Sequence, residues 1–154
     1  MKGVAFFEHG SVDLLQYLED FPDPVAGKSD KVIINIKYCG INHLDIWTRQ
    51  GIGAACKKIR LPHICGCNIV GTTTIKGQRV MIYPDVSCGK CEYCTGTSNR
   101  TTRRRARKDN NNGNNKKENL CSQFAIIGGF SDYNGGYAER VAVPEKMPSG
   151  YKAH

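Results

Sequence analysis

Long apolar runs are absent from this chain of 154 residues: nowhere do eighteen apolar residues stand together. The opening stretch, MKGVAFFEHGSVDLLQYLEDF, mixes charges among its apolar residues and offers no small-residue cleavage site. The expectation is therefore neither a membrane-spanning helix nor a secretory leader, and the reading is a soluble, cytoplasmic protein. Helical periodicity is also scarce, confined to HLDIWTRQ at 43–50 with a glycine stop at Gly51. Acidic residues are in short supply, 14 against 22 Lys and Arg, for a formal charge of +8.

That excess is local. Between Thr95 and Lys117 the chain carries eight basic residues against Asp109 alone; without them 14 basic residues face 13 acidic. The stretch from Ser98 to Lys117, SNRTTRRRARKDNNNGNNKK, has no apolar periodicity, which predicts a disordered, solvated insertion. Its arginines invite a nucleic-acid reading, but no aromatic interleaves them to stack on bases, so a nucleic-acid partner is disfavoured.

Half-buried strands are predicted at 2–8, 31–40, 77–84 and 135–144, where apolar and polar residues alternate. With turn-rich joints such as FPDPVAGKSD between them, the expectation is a mostly β domain, a small barrel with short helices.

Eight cysteines in a reducing compartment argue against four disulfides and for a thiolate metal site, with a disulfide framework or buried thiols as alternatives. Cys88, Cys91 and Cys94, in SCGKCEYC, follow one another at C-x-x-C spacing. A tetrahedral ion needs a fourth ligand, and the first cysteine past the polar insertion is Cys121. The long loop is no obstacle. Stretching a loop from about eight to about 27 residues adds roughly 1 kcal/mol of closure entropy, against about 10–16 kcal/mol for zinc in small cysteine sites. Four thiolates leave zinc no open position, so such a site is structural. An iron–sulfur cluster is the weaker alternative, because Thr95 rather than proline follows Cys94.

The order of CGINHLDIWTRQG (39–51), LPHICGCNIVG (61–71), GQRVMIYPDVSCGKCEYC (77–94), ENLC (118–121) and NGGYAERVAVP (134–144) resembles the GroES-like amino-terminal domain of medium-chain dehydrogenases and reductases. The resemblance spans Met1 to Pro144 apart from the insertion. It implies a GroES-like, partly open β-barrel over 1–154 with a structural zinc lobe at 88–121, its ligands Cys88, Cys91, Cys94 and Cys121. The lobe is interrupted by insertion 98–117. Two departures bear on chemistry. Asn42 stands where zinc alcohol dehydrogenases carry a cysteine, Leu44 stands at their hydroxyl position, and Gly66-Cys67-Asn68 replaces their G-H-E. A catalytic zinc is therefore not expected. NHLD at 42–45 resembles instead the N-x-x-D of zinc-free quinone and enoyl reductases, which implies Asn42 facing a nicotinamide and Asp45 bracing the turn; read bare, the same residues are turn chemistry.

The implied function is the substrate-side domain of an alcohol dehydrogenase or quinone oxidoreductase-like protein. It would act on a small alcohol, carbonyl or quinone with NAD(P) if a coenzyme domain is supplied, and homo-oligomerisation stays open. The alternative is a truncated, inactive zinc-stabilised module. GIGAAC at 51–56 does not supply the coenzyme cradle, since it follows DIWTRQ rather than a buried strand. Three further expectations concern packing. Cys65 and Cys67 share one strand face in the core, with a second metal site alongside Cys39 or Cys56 as the lesser reading. His43 and His63 are structural, and Trp47 and Tyr83 line the core or a pocket. Finally, the short connection after Gly71 threatens an unpaired sheet edge.

Overall fold

The computed structural model describes residues 1–26, 31–53, 59–96 and 117–145, and the backbone of 148–150. Cys56 and nearly all of the insertion, 98–116, lie outside the described residues. The chain forms two units, Met1–Pro84 with Ala125–His154, and Asp85–Phe124.

In the larger unit, strands β1 (Gly3–Ala5) and β2 (Gln16–Leu18) pair antiparallel. A five-stranded antiparallel sheet runs in the order β8-β3-β4-β5-β9, from β3 (Lys31–Gly40), β4 (Asn68–Thr73), β5 (Arg79–Ile82), β8 (Arg140–Pro144) and β9 (Pro148–Gly150). Two-residue strands β6 (Asp85–Val86) and β7 (Ala125–Ile126) complete the order, β6 in the smaller unit. The sheet is not closed into a barrel. The edge feared beside Gly71 is nonetheless paired, since β5 has β4 on one side and β9 on the other.

Alternation explains the layering. On β5, Val80 and Ile82 point inward while Arg79 and Met81 face out, and on β8 Val141 and Val143 do the same. With Ile34 and Ile69 these form the sheet side of the core, each fully buried aliphatic contributing about 1.5–3 kcal/mol. A register shift between Ile36 and Tyr38 bends β3, and Gly71 sits opposite it, where a β-carbon would run into the Asn35 carbonyl.

Helix α1 (His43–Gln50) begins and ends where the sequence indicates, with Asn42 as N-cap and Gly51 closing it in the left-handed region at φ 72°. Its eight residues are too few to be stable on propensity alone. What it buries is polar, Asp45, Thr48 and Arg49 at helical spacing, so hydrogen bonds must anchor it. Trp47 and Tyr83 are not core residues: they are 44% and 57% exposed, and His43 packs edge-on against the Trp47 ring.

The smaller unit holds a one-turn helix, α2 (Glu92–Thr95), and a 3-10 turn at Glu118–Leu120, tied by Lys117 N–H donating to the Tyr93 carbonyl at 2.8 Å. Its only buried apolar residues among those described are Cys94 and Cys121. No helix among the described residues is long and apolar enough to cross a membrane.

Candidate functional site

Two constellations carry chemistry, one in each unit. In the smaller, the sulfurs of Cys88, Cys91, Cys94 and Cys121 all lie within 4.8 Å of one another, with Cys88–Cys94 at 3.9 Å and Cys91–Cys94 at 3.5 Å. Zinc–sulfur bonds of about 2.3 Å in a tetrahedron set sulfurs about 3.8 Å apart, so this spacing fits a thiolate-held dication. Local backbone geometry builds the knuckle. Gly89 turns at φ 70°, Cys91 caps α2, and Gly96 ends it at φ 72°. The turn aims N–H groups at sulfur: Cys91 N–H donates to Cys88 Sγ and Gln123 N–H to Cys121 Sγ, both at 3.4 Å. The Lys90 and Cys91 amides hold the Cys88 thiol down to about 6. For Cys91 the Cys94 amide pulls the same way, but desolvation and the adjacent thiols outweigh it and lift the group to about 11. A thiol already held down, as Cys88 is, suits an ion that deprotonates its ligands outright, and with all four sulfurs coordinated no position is left for a substrate. The sequence expectation brought these four residues together, and they are together here.

The second constellation surrounds Asp45, 7% exposed. Its Oδ2 accepts from Asn42 N–H at 2.7 Å and from the Tyr137 hydroxyl at 2.6 Å, and its Oδ1 accepts from the buried Gly66 N–H at 3.0 Å. Asn42 returns the cap, its Oδ1 accepting from Leu44 N–H at 3.0 Å. Asp45 is therefore bound to three chain segments at once, and these hydrogen bonds are made within the fold. Burial, then the adjacent Asp45 carboxylate, pushes the Tyr137 hydroxyl upward, so it stays a proton donor. The same two causes push the Cys39 and Cys65 thiols up to about 12. Both are neutral thiols, Cys65 buried and Cys39 half-buried. Among the described residues they do not join a metal-holding group, and Cys65 and Cys67 are buried from an irregular segment rather than from one strand face.

Tyr137 went unread in the sequence, and so did what delivers it. Gly135 N–H donates to the Ile64 carbonyl at 2.7 Å, Gly136 N–H to Gly66 at 2.8 Å, and Tyr137 N–H to Cys65 at 3.0 Å. A β-carbon on Gly135 would collide with the Gly66 and Cys65 carbonyls, and one on Gly136 would stand 2.6 Å from Cys39 Sγ. The Gly-Gly pair before an aromatic was the available signal, legible only once the facing segment at 64–66 is known.

Comparison with known proteins decides the family. The model of the alcohol dehydrogenase GroES-like domain matches residues 28–150. The chain belongs to that family. This GroES-like chain is 28% identical over 110 residues to a quinone oxidoreductase of Rattus norvegicus, covering 66% of the chain and 32% of that protein. It is 36% identical over 99 residues to an alcohol dehydrogenase of Schizosaccharomyces pombe, covering 58% of the chain and 27% of that protein. Among solved structures it is similar to an NAD-dependent alcohol dehydrogenase (TM-score 0.75, 28% identity, 97% of this chain, 39% of that one). It is also similar to the cobalt- and zinc-bound thermostable alcohol dehydrogenase of Pyrobaculum aerophilum (TM-score 0.72, 26% identity, 100% of this chain, 42% of that one). The GroES-like chain spans about a third of the length of the curated relatives it matches.

Proposed function

We propose that this chain is the substrate-side domain of a medium-chain oxidoreductase that interconverts a small alcohol and carbonyl, or reduces a quinone. Residues 1–154 form its GroES-like domain, and Cys88, Cys91, Cys94 and Cys121 hold a structural zinc in a lobe at 88–121, into which 98–117 is inserted. The observation that carries the reading is the Asn42–Asp45 cap: Asp45 fixes the backbone of Asn42 while Leu44 engages its amide oxygen, which leaves the amide N–H groups as donors for a substrate oxygen. Preorganised donors of this kind stabilise charge that develops on a carbonyl oxygen.

NAD(P), when bound, supplies or accepts the hydride. This chain's own G-x-G stretch does not fit it. Gly51 is the left-handed cap that ends α1, so the stretch follows a helix where a phosphate cradle follows a strand. The coenzyme is accordingly assigned to residues outside this chain, and no step is derived through it. The four thiolates close the zinc shell, so the ion holds its lobe together and polarises nothing.

Two measurements test the reading. Elemental analysis is expected to give one zinc per chain and none for Cys121→Ser; two zincs per chain would overturn the assignment. In NMR titrations with a simple benzoquinone or benzyl alcohol, the Asn42 side-chain amide and the backbone amides of Asn42 and Leu44 are expected to shift, and Asn42→Asp, which keeps the cap but removes the donor, is expected to abolish the backbone shifts. Shifts confined to other parts of the chain would refute the pocket. That result would favour the second reading, an inactive zinc-stabilised module, which rests on Asp45 having all its hydrogen bonds within the fold.

A further inference from the structure

His63 is fully buried, and neither of its ring nitrogens has a hydrogen-bond partner. Its backbone is one half of a bridge that closes the amino-terminal stretch onto the segment before β4: Phe6 N–H donates to the His63 carbonyl and His63 N–H to the Phe6 carbonyl, both at 3.0 Å. The ring stands edge-on to the buried Phe6 ring at 5.7 Å, and the His9 ring lies 5.6 Å from that same Phe6 ring. A neutral imidazole tolerates such an enclosure at some cost, whereas an imidazolium with no acceptor does not.

The charged groups facing it do not rescue the proton. His9, from the amino-terminal stretch, would repel it. Asp132 would attract it but is half-exposed and already lies 3.3 Å from the Arg60 guanidinium. Arg49, on α1, is a further buried cation whose carbonyl and that of Thr48 sit against His9 Nδ1, and whose guanidinium is held by the Gly10 carbonyl. The Gly128 backbone favours the charged ring, the largest influence after burial, and burial outweighs it.

From this arrangement we infer that His63 is an acid-sensitive latch, whose protonation ejects the ring and opens the Phe6–His63 bridge. The consequence reaches the candidate pocket. Val4 N–H donates to the Tyr137 carbonyl at 2.7 Å, and the carbonyls of Ile64, Cys65 and Gly66, just after His63, accept from the segment 135–137 that presents Tyr137 to Asp45. Opening the bridge removes one side of Tyr137's support and so loosens the Asp45–Asn42 cap. That last link rests on the pocket proposed above; the latch itself does not.

Burial is the main cause that holds the ring to about 4, below its ordinary 6.5. The sign follows from a depressed base. Above pH 6.5 the open and closed forms are both neutral and the latch has full strength. Between 6.5 and 4 the freed ring takes a proton that the enclosed ring refuses, so the open population grows up to about tenfold per pH unit, to roughly 150-fold at pH 4.

The test is amide hydrogen exchange on the zinc-loaded full chain from pH 7.5 to 5.0, corrected for intrinsic rates. Opening at Phe6 and His63 is expected to rise up to about tenfold per unit below pH 6.5, while Ile34 in β3 does not change. His63→Leu is expected to abolish this slope and His9→Gln to retain it. A flat wild-type profile, an unchanged slope in His63→Leu, or its loss in His9→Gln overturns the latch. Should His63→Leu fail to fold, 15N shifts of the wild-type ring decide: protonation that accompanies bridge opening supports the latch, and titration near 6.5 with the bridge closed overturns it. If the bridge opens while the Asn42 amide stays unmoved, the latch stands and its link to the pocket falls.

Discussion

Removal of the Asp45 carboxylate is the most informative single perturbation. In Asp45→Ala three donors lose their acceptor: Gly66 N–H, which is fully enclosed, and Asn42 N–H and the Tyr137 hydroxyl, which are part-buried. An orphaned buried donor costs about 1–3 kcal/mol, more when its acceptor was charged. Gly66 bears the full penalty, while water relieves part of the other two, so the expected loss is about 3–5 kcal/mol. Tyr137→Phe deletes one donor from a half-buried site and is expected to cost about 1–2 kcal/mol. The decisive number is their coupling. Once Asp45 is gone, the Tyr137 hydroxyl has nothing left to donate to in the fold, so Tyr137→Phe in the Asp45→Ala background is expected to cost nearly nothing. A coupling of about 1–2 kcal/mol results. Urea unfolding of the zinc-saturated chain, followed by fluorescence of Trp47, the sole tryptophan and a residue of α1, measures all four corners of the cycle. Additive penalties would show that the 2.6 Å contact contributes nothing to stability and that the cap is held by α1 alone.

Three further outcomes are expected. Chelation of zinc, or Cys121→Ser, should abolish exchange protection at Cys94, Thr95 and Gly96, whose amides close the α2 turn, because the only described apolar residues buried in that unit are two of its proposed ligands; persistent protection would refute a metal-dependent lobe. Thr48→Val should raise stability by about 1 kcal/mol, since the Thr48 hydroxyl is buried without a partner, and a loss in urea unfolding would reveal a hidden acceptor. Gly135→Ala should destabilise by more than about 2 kcal/mol, because its β-carbon would enter the Gly66 and Cys65 carbonyls and push away the segment that carries Tyr137; near-neutral unfolding would mean that this junction yields freely.

What could be read from the sequence alone was whatever acts over a few residues. The alternating strands, the 43–50 helix with its Gly51 stop, and the thiols of Cys88, Cys91 and Cys94 depend on spacing along the chain, and turn chemistry then sets them in space. Cys121 was reachable too, since the odd sulfur of an incomplete tetrahedron has few candidates. Tertiary structure decided the rest. Tyr137 meets Asp45 across 92 residues, through a glycine pair whose need for bare backbone exists only against the Cys65–Gly66 segment. Trp47, apolar enough to be assigned inward, lies on the outer side of a helix whose inner side is polar, because Asp45 and Arg49 find partners there that the helix's own sequence does not contain. Nor does a lone histidine declare its burial: His63 is enclosed because Phe6, fifty-seven residues earlier, bridges to it, and enclosure by distant chain turns an ordinary imidazole into a proton-sensitive one.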